Sequence, residues 1–311
     1  MNTQMYKPEG FFAGAEGREP FYSQGALEKA AATGRILEAQ VLLCDSEFSL
    51  YVDLGSMKGK IPRSEAVYQP LGGEIKDIAV ITRVGKSVSF KVIGFAVENG
   101  ETVAILSRRE AQKSCLENYL MTLSPGDVID AQVTHLEPFG AFVDIGCGVI
   151  SLLSIDCISV SRISHPRDRF YTGMQIKAVI RSIDYETSRI YVSHKELLGT
   201  WEENIAKFEV GQTIAGVVRS IEPYGIFVEL TPNLAGLAEY REGVYPGQRA
   251  AVYIKNIIPE KMKVKLVLVD AYSSTSPSDY RFEYFETRPH IDRFVYSPPA
   301  CDRVVSTVFS E

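Results

Sequence analysis

An internal repeat constrains the fold of this chain more than any other feature of its sequence. Residues 125–145 (PGDVIDAQVTHLEPFGAFVDI) align without a gap with residues 210–230 (VGQTIAGVVRSIEPYGIFVEL), and residues 33–55 are a weaker third copy. Each copy continues into a glycine with alternating apolar residues and ends in another short apolar segment. Three copies of one structural unit are therefore predicted, although 311 residues by themselves indicate about two domains.

Within each copy, apolar and polar residues alternate with the period of a β-strand. In the middle copy Ile129, Ala131 and Val133 alternate with polar residues, which is typical of a half-buried strand. Five such short strands are too few for two packed sheets, whereas closure into a small barrel removes the exposed edges. The sequence therefore predicts an all-β protein of three tandem five-stranded OB-fold barrels.

The segments between the repeats lack this alternation and contain helix-forming residues, so we expect short helical linkers. Trp201 lies in the second linker and is expected to be wedged between barrels. The tail after the Ser/Pro-rich stretch at 273–278 is rich in aromatic residues and is expected to fold back on the rest of the chain. The predicted divisions are an N-terminal segment (1–33), barrels (34–110, 123–197 and 208–270), linkers (111–122 and 198–207) and a C-terminal tail (271–311).

Composition excludes several classes of function. With 39 acidic against 33 basic residues, the chain lacks the strongly basic balance of a duplex-DNA-binding domain. No apolar run is long enough for a transmembrane helix, and the N-terminus lacks the pattern of a signal peptide, so we expect no membrane partner and a cytoplasmic location. The scattered cysteines and histidines predict neither a metal site nor disulfides. No catalytic or nucleotide-binding motif occurs, which predicts a protein that is not an enzyme and has no cofactor or small-molecule substrate.

The second strand of each copy contains the side chains that are the best candidates for binding a ligand. Each carries two aromatic residues three positions apart, and an acid follows two positions after the second one: Phe48, Tyr51 and Asp53; Phe139, Phe142 and Asp144; Tyr224, Phe227 and Glu229. A β-bulge at Gly140 or Gly225 would bring both rings to one side. The acids are expected to face water, and the second aromatic, two positions before the acid on the same strand, is expected to face outward with it. Two exposed rings would then form a platform on which unpaired bases stack. The alternative is that the rings belong to the core, as isolated aromatics in strands usually do.

Basic residues occur in local clusters, although each copy is close to neutral. The long loop of the middle copy contains Arg162, Arg167 and Arg169, and the third copy contains Lys263 between two further lysines. Local cations on neutral barrels favour modest, salt-sensitive binding of single strands over tight binding of a duplex. Ordinary solvated loops are the alternative explanation for such clusters.

The order of these elements resembles the S1 RNA-binding domain. The likeness rests on G-x-x-x-x-A-x-V at 126–133, F-G-A-F-V-D-I-G at 139–146 and V-S-H-K-E at 192–196. Three such units in tandem, over roughly 34–270, resemble the short bacterial ribosomal S1 proteins. The resemblance implies OB-fold barrels with an RNA face made of the two aromatics, a histidine on the third strand, and an acid and a base around the last hairpin.

On this sequence the family's RNA face is incomplete in every copy. The histidine position is occupied by Pro62 in the first copy, Ser154 in the middle copy and Glu239 in the third. In the first copy, Val103 also occupies the position of the basic residue. The resemblance assigns RNA-binding residues to each copy: Phe139, Phe142, Ser154, Asp184 and Arg189 in the middle; Phe48, Tyr51 and the adjacent Arg63 in the first; Tyr224, Phe227 and Lys263 in the third.

The resemblance implies an RNA-binding protein that captures single-stranded mRNA for translation, with the small (30S) ribosomal subunit as its partner. Two alternatives remain open from the sequence. The departures at Ser154, Pro62 and Glu239 would suit a protein-docking adaptor whose barrels have lost RNA. The same barrels would also suit an accessory RNA-binding subunit of an RNA decay or transcription machinery.

Overall fold

The alternating segments of each repeat form a closed five-stranded barrel. The computed structural model describes residues 6–11, 22–273 and 282–309, and within them three such barrels follow one another. In each barrel the third and fifth strands pair in parallel, and the other neighbouring strands are antiparallel. This arrangement is that of an OB-fold, and it confirms the predicted all-β architecture of three barrels.

Each copy contains five strands, which range from 4 to 12 residues in length. The first barrel contains β1 Ile36–Cys44, β2 Leu50–Asp53, β3 Lys58–Ile61, β4 Ser87–Glu98 and β5 Glu101–Ser107. The second contains β6 Val128–Glu137, β7 Gly140–Asp144, β8 Ile150–Ser154, β9 Gln175–Asp184 and β10 Arg189–Ser193. The third contains β11 Thr213–Glu222, β12 Gly225–Thr231, β13 Leu234–Ala238, β14 Arg249–Ile258 and β15 Lys263–Tyr272.

Each barrel encloses its own hydrophobic core, built from alternate residues of its strands. In the second barrel Ile129, Ala131 and Val133 are at most 4% exposed, as the alternation predicts. Their polar neighbours Asp130, Gln132 and Thr134 are only partly buried. Burial of one face of every strand is the main force that closes such a barrel.

The first and second barrels are joined by a helix and by the N-terminal segment. The helices α1 Gln24–Thr33 and α2 Asp77–Ile81 belong to the first barrel, and α3 Arg108–Asn118 follows β5 directly. Glu9 of the N-terminal segment is buried between the barrels, where its carboxylate accepts hydrogen bonds from the Arg108 guanidinium at 2.7 and 2.9 Å. It also accepts one from the backbone N–H of Ser89. The segment 6–11 therefore fastens the two barrels to each other.

A second helix, α4 Trp201–Ile205, connects the second and third barrels. Its N-terminus is closed by a capping box in which the side chains of Thr200 and Glu203 accept each other's backbone N–H groups. Trp201 is 1% exposed and packs into the core of the third barrel. The two helical linkers are thus present as predicted.

The C-terminal tail folds back over the junction of the second and third barrels. It forms a small sheet of β16 Arg293–Val295 and β17 Ser306–Val308. The Tyr296 hydroxyl donates to the carbonyl of Asn233 in the third barrel, and the Tyr284 hydroxyl accepts from the backbone N–H of Lys177 in the second. The described part of the tail, 282–309, therefore stabilises the relative position of these barrels.

Candidate nucleic-acid interface

The second barrel presents two aromatic rings side by side on its outer surface. Phe139 lies in the turn before β7 and is 54% exposed, whereas Phe142 lies within β7 and is half-buried. Their ring centroids are 6.0 Å apart and the planes are nearly perpendicular, at 89°. The predicted pair is therefore formed and faces solvent, so a base can reach both rings.

The turn that holds these rings requires a glycine. A methyl group at Gly140 would lie 2.5 Å from the carbonyl oxygen of Leu153 on β8, so only a residue without a side chain allows the strands to come this close. The predicted bulge at this glycine is wrong, however. The register of β6 and β7 shifts between Val133 and His135, so the extra residue is Thr134 on the facing strand. Phe139 and Phe142 reach the same side because Phe139 lies in the turn, outside the strand alternation.

The bulge brings a third ring to this surface. His135 is paired with Phe142 across the strands, and the two rings are stacked with centroids 6.4 Å apart and planes 25° from parallel. Its Nε2 lies 2.7 Å from the Glu137 carboxylate, which orients the imidazole. His135 could not be found from the sequence, because strand alternation alone does not show where a bulge reverses the facing of a residue.

Two of the three acids after the second aromatics are buried, which contradicts the prediction that they face water. Asp144 is 1% and Glu229 is 3% exposed, whereas Asp53 is exposed. The Asp144 carboxylate accepts hydrogen bonds from the backbone N–H groups of Glu9, Gly146 and Gly148. Burial, reinforced by the nearby Glu9 carboxylate, raises the pKa of Asp144 to about 7. These acids connect barrels, and the aromatics face outward for a different reason.

The remaining residues that the resemblance assigned to the middle barrel differ in how far their side chains are engaged in hydrogen bonds within the protein. Ser154 pairs with Gly140 across β7 and β8, and its hydroxyl donates to the Asp156 carboxylate. The Asp184 carboxylate accepts bonds from the Thr187 hydroxyl and from backbone N–H groups of its own hairpin, and these bonds lower its pKa. Arg189, which pairs with Asp184 across the hairpin, is exposed. Arg189 is therefore the cation here that is best placed for a phosphate.

The basic loop of the middle barrel divides into two exposed arginines and one buried arginine. Arg162 and Arg167 are exposed, as an RNA contact requires. Arg169 is 1% exposed, and its guanidinium donates to the Glu229 carboxylate of the third barrel at 2.5 Å. The prediction that Arg169 contacts RNA is wrong, because the side chain belongs to the contact between barrels.

The third barrel repeats the aromatic pair almost unchanged. Tyr224 is 68% exposed, and its ring centroid lies 6.1 Å from that of Phe227 with the planes at 90°. Lys263 is exposed at the start of β15. Glu239 follows β13 and is exposed, so it places a negative charge beside this platform. This surface can stack bases, although it is less favourable for the phosphates.

In the first barrel the two aromatic rings lie beside cations of the same barrel. The Arg63 guanidinium lies 5.2 Å from the centroid of Phe48, and the Lys60 ammonium lies 5.6 Å from that of Tyr51. Arg63 is also paired with the Asp77 carboxylate at 2.6 Å. Both rings are half-buried. These cations compete with a base for the ring faces.

Two further properties concern the described residues alone. No group of three or more histidine, cysteine, aspartate or glutamate side chains in the described ranges is arranged to hold a metal ion. None of the helices there is both long enough and apolar enough to cross a membrane.

Comparison with known proteins agrees with this geometry. Residues 122–195 match the model of the S1 RNA binding domain. The small ribosomal subunit protein bS1 of Staphylococcus aureus (strain COL) is 33% identical over 260 residues, which are 78% of this chain and 64% of that protein. The bS1 protein of Rhizobium meliloti (strain 1021) is 31% identical over 236 residues, 70% of this chain and 40% of that protein. This chain therefore spans less than two thirds of the length of these curated relatives.

Among solved structures, a multidomain protein with nucleic acid binding domains from Streptococcus pneumoniae TIGR4 aligns with 76% of this chain and 73% of its own. The identity is 15% and the TM-score is 0.25. The sequence matches carry the conclusion. Residues 122–195, which form the middle barrel, match the S1 RNA binding domain, and the chain is similar over most of its length to the bacterial small ribosomal subunit protein bS1.

Proposed function

We propose that this protein binds single-stranded RNA through the outer faces of its barrels, and that it holds mRNA at the small ribosomal subunit. The adjacent rings of the exposed Phe139 and the half-buried Phe142 are the observation that carries the proposal. About half of the Phe139 side chain is open to solvent, and base stacking on such a ring contributes about 1–3 kcal/mol per base. The relationship to bS1 and to the S1 domain supports a non-enzymatic role in translation and, with it, a cytoplasmic location.

The exposed cations of the middle barrel favour binding of a single strand with modest affinity. Arg189, Arg162 and Arg167 are exposed on the middle barrel, while the chain as a whole has a net charge of −6. Each phosphate contact to a single strand contributes about −0.7 to the slope of log affinity against log salt concentration. Three contacts would therefore give a slope near −2.

Anisotropy of a labelled, unstructured, pyrimidine-rich RNA, titrated with the full chain at several salt concentrations, tests this proposal. We expect binding that weakens with salt and that is about 2–4 kcal/mol weaker when Phe139 and Phe142 are both replaced by alanine. A matched control replaces Tyr272, a 52%-exposed tyrosine at the far end of β15, and should leave the affinity unchanged. An intact double variant that binds as tightly as the wild type would refute the platform.

The ribosomal role requires a separate experiment. Small-subunit particles are sedimented with the wild-type chain and with the Phe139/Phe142 double variant. Sedimentation of both proteins would support docking through other surfaces, with the platform left free for mRNA. Absence of both from the particles would contradict the ribosomal part of the proposal without affecting RNA binding.

A further inference from the structure

The strand register of the second barrel places an additional aromatic residue in line with its platform. His135 pairs with Phe142, Phe142 with Leu152, and Leu152 with Tyr191, so the line runs from β6 across β7 and β8 to β10. The neighbours of Tyr191 on β10, Ile190 and Val192, are buried in the core. Because successive strand residues point to opposite faces, Tyr191 points outward, and it is 36% exposed.

The surroundings of Tyr191 suit a base and its phosphate. Two strand spacings separate β10 from β7, about 10 Å, and the partly buried Leu152 forms an apolar floor between them. Arg189 lies two residues before Tyr191 and therefore on the same outer face of β10. An aromatic ring with an exposed cation beside it is the combination that single-strand-binding surfaces use for successive nucleotides.

Comparison of the three barrels shows that this arrangement is particular to the second. The same register position is occupied by Lys265 in the third barrel, opposite Leu237, and by Ile105 in the first, opposite Lys60. Only the second barrel has aromatic rings on both sides of the partly buried residue of its third strand. This is also the barrel in which Ser154 stands at the histidine position.

We propose that Tyr191 is a further base-stacking residue of the second barrel, which extends the RNA site from β7 across β8 to β10. The inference rests on the proposed function, because it assigns one more base of the same single strand to this ring. The bound segment then crosses the barrel from Phe139 and Phe142 toward Arg189, and the ring missing at Ser154 is replaced from the neighbouring strand.

The test uses the full chain and a labelled oligouridylate of about twelve nucleotides, long enough for one OB-fold. Tyr191→Ala should weaken binding about fivefold or more at every salt concentration, the lower end of the effect of losing one base stack. Tyr191→Phe should bind like the wild type because it keeps the ring. Tyr191→Leu keeps the apolar packing but has no ring, and should bind as weakly as the alanine variant.

The salt dependence separates stacking from charge. Tyr191→Ala should leave the slope of log affinity against log salt unchanged because it removes no cation, whereas Arg189→Ala should flatten the slope by about 0.7. Wild-type affinity in the alanine and leucine variants, together with weak binding by the Phe139/Phe142 variant, would overturn the inference and leave the proposed function standing. Absence of binding by the wild type would overturn both.

Discussion

Replacement of Glu229 by glutamine should loosen the contact between the second and third barrels. The Glu229 carboxylate is 3% exposed and accepts hydrogen bonds from Arg169 of the second barrel and from Arg219 of its own barrel, at 2.5 and 2.8 Å. Glutamine has nearly the same shape but no charge. The substitution therefore removes the anion that two guanidinium groups share and changes the packing very little.

The expected loss is large because the pair is buried. Removing one partner of a buried ion pair costs about 3–5 kcal/mol, since the remaining charge has lost its counterion and is shielded from water. With a urea dependence of about 2 kcal/mol per molar, this corresponds to a midpoint lower by about 1.5–2.5 M. Glu242→Gln, at an exposed position of the same barrel, should shift the midpoint by much less.

The chain contains one tryptophan, which reports this transition. Trp201 is 1% exposed in the linker helix and packs into the third barrel, so its emission shifts to longer wavelength when the barrel or the junction opens. Urea titrations followed by this emission compare wild type, Glu229→Gln and Glu242→Gln. Equal midpoints for the first two would refute the reasoning. So would an Arg169→Ala variant that keeps the wild-type midpoint and loses RNA affinity, because Arg169 would then act as an RNA contact.

Three further predictions test other parts of the structure. Burial lowers the pKa of His194 to about 4, so the unfolded chain takes up a proton below about pH 6.5 that the folded chain does not. The contribution of His194 to stability should therefore fall by about 2 kcal/mol between pH 7.5 and pH 5. In the same urea titration, the difference in stability between the wild type and a His194→Gln variant should change by this amount, because the raised pKa of Asp144 affects both proteins alike. Glu9→Ala should release the N-terminal segment, whose Lys7 carbonyl accepts a hydrogen bond from the backbone N–H of Cys147. If the contact of this segment loses about 3 kcal/mol, chemical labelling of the buried Cys147 thiol should become about 100-fold faster. An unchanged labelling rate would contradict the role of the segment. Gly140→Ala should lower stability by about 1–3 kcal/mol because its methyl group meets a carbonyl of the facing strand, whereas Gly94→Ala, with open space around it, should not; equal melting temperatures would contradict this account.

Much of the fold could be predicted from the sequence because it depends on local patterns. The alternation at Ile129, Ala131 and Val133 is a property of neighbouring residues, and the core of the second barrel follows it. The repeat then transfers the same arrangement to the other two copies. Closure was predictable because short strands in a small unit have no other way to cover their edges.

The adjacency of the two rings at the surface could be predicted from the sequence, but the structure gives it a different cause. Phe139 and Phe142 lie together on the surface because Phe139 is in a turn and Thr134 forms a bulge in the facing strand. Asp144, which the strand pattern places in water, is buried. An acidic residue on a strand indicates a solvent-facing position only if no other segment packs over that strand. Here the N-terminal segment packs over Asp144.

The number of barrels, the five strands of each and the aromatic pairs could be predicted from the sequence, because each of these is encoded within one repeat. Which charges remain available for a ligand depends instead on the tertiary structure. Glu9 and Arg108 are far apart in the chain, as are Arg169 and Glu229, and both pairs are buried where barrels meet. Contacts between segments that are distant in the chain depend on how whole barrels pack together. A local pattern of residues does not predict that packing. The same packing leaves Arg189 and Tyr191 exposed beside the rings.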